Sequence, residues 1–237
     1  MTELKKIRQA VIFAGGLGTR LRPLTYDRPK PMVLVNNRPF LEYLVRQLKE
    51  NDIEELVLLL GYLPDRITEY FGDGHTFGLS IRYSITPVED ERGTRLRKAA
   101  SMLDDYFLVM NSDSYWPLDL QKLVDFHNKH NALVSMTVYT NKDAVTKNNV
   151  LVDAQGIVRK YDVTRSHPAL NGVDAAYRIT SKKILKLIPE DNVSLEETVF
   201  PQLIFQNQLV GYLTDDRYWS IGTPEKLAAT ERFFRLQ

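Results

Sequence analysis

The stretch Ala10-Val11-Ile12-Phe13-Ala14-Gly15-Gly16-Leu17-Gly18-Thr19-Arg20-Leu21-Arg22-Pro23 decides how this chain is read. Five apolar residues stop at a glycine pair, the pattern of a buried strand feeding a glycine-rich loop. Glycines let backbone N–H groups approach an anion without obstruction from Cβ, and a turn or helix start there adds a favourable dipole. Thr19 brings a hydroxyl, and Arg20 and Arg22 bring fixed charge. Charge-assisted hydrogen bonds contribute roughly 1.5–3 kcal/mol each, so a few of them would hold a triphosphate. A plain glycine turn with solvated arginines is the competing reading. No Gly-Lys-Ser/Thr ends the motif, so it is not a Walker loop. A dinucleotide fingerprint also fits poorly, because Pro23 interrupts the helix that should follow.

Outward from this loop the pattern alternates. Phe40, Leu41, Leu44, Val45 and Leu48 recur at helical spacing, Leu56 to Leu60 reads as a second buried strand, and Asp65 to Phe71 as a helix. Ile81 to Ile85 and Tyr106 to Met110 read as strands, Leu120 to His127 as a helix face, and Val134 to Val138 as another strand. Such alternation predicts a layered α/β fold with a largely parallel sheet. Beyond Thr140 the pattern loosens. A hairpin is expected over Val150–Asp153 and Gly156–Tyr161, a loop over Thr164–Gly172, and helices near Lys182–Leu187 and Leu195–Gln206. With no linker or repeat, residues 1–237 read as a single domain, in which about 141–237 adds a lid or substrate wall to about 1–140.

Composition narrows the function. Thirty-one Lys and Arg nearly cancel 30 Asp and Glu, so no general basic field is present to hold nucleic acid, and an anion must be gripped locally. The absence of cysteine excludes disulfides, thiolate metal sites and a cysteine nucleophile. Met1 to Gln9 lacks the apolar core of a signal peptide, and no apolar run approaches the roughly 20 residues that span a bilayer. A cytoplasmic protein without a membrane partner is the default expectation. Tyr and Phe are plentiful enough to furnish an interface, so a homo-oligomer stays open.

The opening loop continues as Thr25-Tyr26-Asp27-Arg28-Pro29-Lys30-Pro31-Met32. Gly-x-Gly-Thr-Arg-Leu-x-Pro-Leu-Thr followed by Pro-Lys-Pro-Met resembles the sugar-phosphate nucleotidyltransferases. The resemblance implies a three-layer α/β/α Rossmann-like fold with a mixed, mostly parallel central sheet. It also implies that Ala14, Gly15, Gly16, Gly18 and Thr19 wrap a nucleoside triphosphate, while Arg20 and Lys30 neutralise charge as its α-phosphorus is attacked. The prolines beside Lys30 fix the backbone, which would hold the ammonium in place at low entropic cost.

Weaker segments extend the resemblance over most of the chain. Phe107 to Asp113 is similar to the family strand whose terminal aspartate binds Mg²⁺, so Asp113 takes the metal role, with a strand-end cap as the alternative. Gly93-Thr94 stands where the family loop meets base and sugar, but Arg95-Leu96-Arg97-Lys98 follows; these cations either bind an anionic part of the acceptor or begin a solvated basic helix. No lysine occupies the family's sugar-phosphate slot, and Arg165 is the nearest cation. Asp174 lies in an acceptor-facing asparagine slot, and Asn148 and Asn149 could face the acceptor too. Glu196 matches a glutamate that binds sugar hydroxyls, while Ser194 with Glu197 also forms a capping box. Ser220 replaces a second metal aspartate, leaving the ion to Asp113, phosphates and water, or to help from Asp174.

The resemblance therefore implies a Mg²⁺-dependent nucleotidyltransferase that joins an NTP to a sugar 1-phosphate and releases pyrophosphate. Compact heptose- and mannose-1-phosphate guanylyltransferases are the nearest forms, and GTP the first choice of nucleotide. A cytidylyltransferase acting on a non-sugar phosphate, and a weakly active nucleotide-binding regulator, are the competing readings.

Overall fold

Strand β1 (Gln9–Ala14) is buried along its whole length and fixes the layout. Ala10, Ile12 and Ala14 point into one core, Val11 and Phe13 into the other. A strand that is apolar on both faces needs cover on both, which is the physical origin of a three-layer arrangement. The computed structural model describes residues 6–144 and 146–236, so the first five residues of the basic start lie outside the described residues.

After the glycine loop, a short ribbon of β2 (Leu34–Val35) and β3 (Arg38–Pro39) leads into α1 (Phe40–Glu50). Then follow β4 (Glu55–Leu60), α2 (Asp65–Phe71), β5 (Ser80–Ile85), α3 (Arg92–Lys98) and β6 (Tyr106–Asn111). Beyond them come β7 (Ser114–Tyr115), α4 (Leu120–His130), β8 (Val134–Tyr139) and the hairpin β9 (Val150–Val152) with β10 (Val158–Tyr161). The chain ends with β11 (Val173–Ser181), α5 (Phe200–Phe205), β12 (Leu209–Thr214), β13 (Trp219–Ser220) and α6 (Pro224–Arg235).

Seven strands form one sheet in the order β12-β8-β11-β6-β1-β4-β5, with β11 alone running antiparallel to its neighbours β6 and β8. This is the mixed, mostly parallel sheet expected from the sequence. Helices α1, α2 and α4 cover one face; α3, α5 and the β9–β10 hairpin cover the other. Among the described residues no helix is long and apolar enough to cross a membrane.

The later half departs from the sequence reading in three places. The nine-residue strand β11 lies within the sheet, yet charged Asp174 and Arg178 break the apolar pattern that would announce it. Lys182–Leu187 forms tight 3₁₀ turns rather than an α-helix. The expected helix over Leu195–Gln206 is split into a wide π-turn at Leu195–Val199 and α5. Pro201 lacks the N–H needed to continue the first segment, so it restarts the helix instead.

Candidate active site

Strands β1 and β6 lie side by side with Phe13 opposite Asn111, so their carboxyl ends finish level. Ligands in open α/β sheets collect at this edge. A cleft of about 390 Å³ opens there, lined by Ala14, Gly15, Gly16, Gly18, Thr19, Arg20 and Lys30 on one side and Asn111, Ser112 and Asp113 on another. Eight residues expected to act on a nucleotide therefore share one cavity. The N–H groups of Gly16, Leu17 and Gly18 have no backbone acceptor among the described residues, which leaves them free for an anion.

Two glycines are required by geometry. Gly18 has φ of +63°, and a Cβ there would stand 2.9 Å from the Lys30 Cβ. Thr25 Oγ1 donates to the Gly18 carbonyl at 3.0 Å and ties the loop to the segment that carries Lys30. A Cβ on Gly15 would collide with the guanidinium of Arg95. That guanidinium is 4% exposed and donates to the carbonyls of Leu60, Pro87, Val88 and Asp90 and to Thr86 Oγ1. Arg95 is thus a strut beneath the glycine loop, neither solvated nor free for an acceptor anion.

Lys30 Nζ donates to Asp113 Oδ2 at 2.5 Å, and Ser114 Oγ donates to Oδ1 at 3.2 Å. Burial alone would raise the Asp113 carboxyl; the Lys30 ammonium, Arg92 and the Ser114 hydroxyl outweigh it and hold it ionised below the usual carboxylate range. No group of three or more His, Asp or Glu gathers around a point among the described residues. Asp113 stands beside Asn111, whose side-chain oxygen is buried without a hydrogen-bond partner. One carboxylate in an oxygen-lined cleft fits an ion such as Mg²⁺ that takes its other ligands from phosphates and water.

Gly93 and Thr94, expected against base and sugar, face elsewhere. Gly93 N–H donates to the Val193 carbonyl at 2.9 Å, a Cβ at Gly93 would meet that oxygen at 2.7 Å, and Thr94 Oγ1 bridges Asp191 and Val193. They lock α3 to the 191–193 segment. Arg97 donates to the Glu190 carbonyl and Lys98 pairs with Asp90 at 2.6 Å, so this basic run is structural. The cleft is lined on that side by Val88, Glu89, Asp90, Glu91 and Arg92 instead.

The second wall, joined to the cleft through Arg92, rests on paired charges buried behind it. Glu196 accepts from Arg92 at 2.6 Å, and Arg92 and Arg178 overcome the effect of burial to hold its carboxyl below the usual range. Asp174 and Arg178 form an ion pair with both side chains at most 5% exposed, and Tyr161 donates to Asp174 at 3.0 Å. Residues four apart in a regular strand stand about 13 Å apart. The register shift between Asp174 and Arg178, with Ala176 at φ +69°, folds the backbone so that they meet. Asp174 is therefore committed and cannot supply the charge missing at Ser220. Ser220 itself pairs with Ser114 across β7 and β13, next to Asp113. Asn148 and Asn149 are also engaged: Asn149 accepts the Asp174 N–H and Asn148 binds Asn141 and the Leu170 carbonyl.

Arg165 is the exception on this wall. Asp162 gathers the N–H groups of Thr164, Arg165, Ser166 and His167, holding Arg165 at φ +56°. The Thr164 hydroxyl, with these N–H groups, keeps the Asp162 carboxyl well below its ordinary range. Arg165 donates to the Lys147 carbonyl at 2.5 Å and has no carboxylate partner among the described residues. Ser194 Oγ accepts from the Glu197 N–H at 3.4 Å, the capping half of the Ser194–Glu197 pair. Nothing along the chain directly marks Arg92 or Arg178 as the partners of Glu196 and Asp174, although a charge inside an otherwise apolar strand is a usable signal for Arg178.

Residues 9–162 match the family described as nucleotidyl transferase. The chain is 33% identical over 221 residues to a mannose-1-phosphate guanylyltransferase of Mycobacterium tuberculosis, covering 91% of this chain and 61% of that protein. It is 30% identical over 220 residues to a D-glycero-alpha-D-manno-heptose 1-phosphate guanylyltransferase of Campylobacter jejuni, covering 92% and 96%. The chain thus spans about three fifths of the first relative and nearly all of the second. The crystal structure of HddC from Yersinia pseudotuberculosis complexed with GMP-PN superposes with a TM-score of 0.83 at 25% identity, covering 96% of this chain and all of that one.

Proposed function

Because the chain belongs to the nucleotidyl transferase family, we propose that it couples GTP to a sugar 1-phosphate, of the mannose or D-glycero-D-manno-heptose type, giving a GDP-sugar and pyrophosphate. The observation that carries this reading is the convergence of free loop N–H groups, Arg20, Lys30 and Asp113 on one cleft at the strand ends. An oxygen of the acceptor phosphate attacks the α-phosphorus; that P–O bond forms as the bond to the β-phosphate oxygen breaks, and pyrophosphate leaves. The nucleophile is already an anion, so no general base is needed. Catalysis rests on positioning and on charge neutralisation where negative charge accumulates. The loop N–H groups and Arg20 hold the triphosphate, and Lys30, oriented by Asp113, faces the same phosphates. Mg²⁺, held by Asp113, would offset phosphate charge when bound.

Two features support the partner choices. Glu89 and Glu91 are exposed on the cleft wall and present carboxylate acceptors, the complement of the donor-bearing edge of guanine. Glu196, oriented by Arg92, presents a carboxylate suited to sugar hydroxyls, and Arg165 a cation for the acceptor phosphate. Pyrophosphate release from ATP, CTP, GTP and UTP, each with mannose 1-phosphate and the heptose 1-phosphate, tests the proposal. Release with GTP and one of these sugars is expected. Nucleotide binding without turnover across the whole set would overturn it.

A further inference from the structure

Lys226, in the first turn of α6, has no role in the reading so far. Its ammonium makes no ion pair among the described residues, and burial together with Arg165, Arg20 and Lys30 lowers its pKa against the pull of Asp113. The carboxylate that acts on it, Asp113, is already bound to Lys30 at 2.5 Å. Arg20 and Arg165 likewise have no carboxylate partner among the described residues. Arg165 donates to Thr146 Oγ1 at 3.2 Å, and Thr146 lines one cavity with Lys226, so a phosphate there would meet cations from both segments.

Gly222 lies where the Lys30, Arg20 and Lys226 side chains approach one another. A Cβ built there would stand 3.9 Å from Lys30 Nζ, 4.0 Å from Arg20 Nη2 and 3.9 Å from the Lys226 Cδ. Gly222 is therefore an open floor on which side chains of the nucleotide loop and of α6 converge. Ile221 N–H donates to the Asp113 carbonyl at 3.0 Å and fixes this floor to the metal-binding strand end. Lys226 is absent from the lining of the nucleotide cleft and lines the neighbouring one with Thr146, Tyr218 and Ser220. It reaches the junction from the acceptor side.

We infer that Lys226, beside Gly222, and Arg165, reaching the same cavity through Thr146, form the subsite for the acceptor's phosphate dianion and hold it against the α-phosphate gripped by Arg20 and Lys30. This rests on the proposed transferase reading for the identity of the acceptor, but not for the anion site itself. No carboxylate stands at Ser220, so an ammonium supplies the positive charge that steadies the incoming oxygens there.

The test uses the intact chain. Binding of inorganic phosphate is measured by calorimetry without nucleotide, and KM for GTP and for mannose 1-phosphate by pyrophosphate release, in the wild type, Lys226→Met, Lys226→Arg and Gly222→Ala. Losing one charge-assisted contact predicts about tenfold to a hundredfold weaker phosphate binding and a similar rise in the sugar-phosphate KM for Lys226→Met. The GTP KM should stay within about twofold, and Lys226→Arg should recover most of the loss. Gly222→Ala has room for its methyl in the empty protein, so it should fold normally and still weaken phosphate. Unchanged phosphate binding in both Lys226→Met and Gly222→Ala overturns the inference, as does a rise confined to the GTP KM. If no sugar phosphate is turned over while phosphate binding still depends on Lys226, the subsite stands and the transferase reading falls.

Discussion

The two walls of the cleft treat charge in opposite ways. On the nucleotide wall, Arg20 is exposed, loop N–H groups lack acceptors and Asp113 and Lys30 keep partial access to solvent. On the second wall, Asp174, Arg178, Glu196 and Arg92 are tied into pairs, the first two almost fully buried. The first wall leaves Arg20 and its loop N–H groups without partners among the described residues and carries one ion pair, Lys30 with Asp113. The second is a rigid frame in which each buried charge is answered by another, so its contribution is shape and orientation more than attraction.

This contrast predicts different failures. On the nucleotide wall, Arg20→Ala should lower kcat by about a hundredfold to a thousandfold with an unchanged unfolding midpoint, whereas Lys30→Ala should lower kcat similarly and also cost stability, because it leaves the Asp113 carboxylate without its ammonium. Unaltered turnover in either would break the contrast. On the second wall the loss should appear as stability. Arg178→Met leaves the Asp174 carboxylate buried and uncompensated, for about 3–5 kcal/mol of destabilisation in urea unfolding. Replacing both, Asp174→Asn with Arg178→Met, should cost less than Arg178→Met alone.

A smaller effect concerns the choice of base. Glu89→Gln with Glu91→Gln should reduce the preference for GTP over ATP by about tenfold in kcat/KM, because each amide offers a donor where guanine needs acceptors. The smallest is acid sensitivity. The Glu196 carboxyl is held below its ordinary range in the folded protein, so its stabilisation is complete above that range and is lost as pH falls through the folded value. The wild type should therefore lose more of its unfolding temperature than Glu196→Gln between about pH 5 and pH 3. Equal losses would mean that the Arg92 pair adds nothing to folding.

The same division runs through what could be read beforehand. Gly15, Gly18, Arg20 and Lys30 lie within one continuous stretch directly after a buried strand, and Asp113 lies two residues past another. Strand ends are legible in sequence, so the residues attached to them are legible too. Gly93 and Thr94 resembled a substrate loop but are pinned by Val193, about a hundred residues away. Arg95 looked like a surface cation and is a buried strut against Gly15. Nothing near either segment in the chain announces those partners.

By itself the sequence determined the alternation of strands and helices, the anion loop and the carboxylate at the neighbouring strand end, since hydrophobic period and glycine placement act over a few residues. Only the tertiary structure decided which charges are free and which are paired. Arg92 meets Glu196 across 104 residues of chain, and Asp174 meets Arg178 only because the backbone of β11 is kinked at Ala176. An ion pair depends on distance and desolvation, and both are set by packing between segments rather than by the order of residues along them.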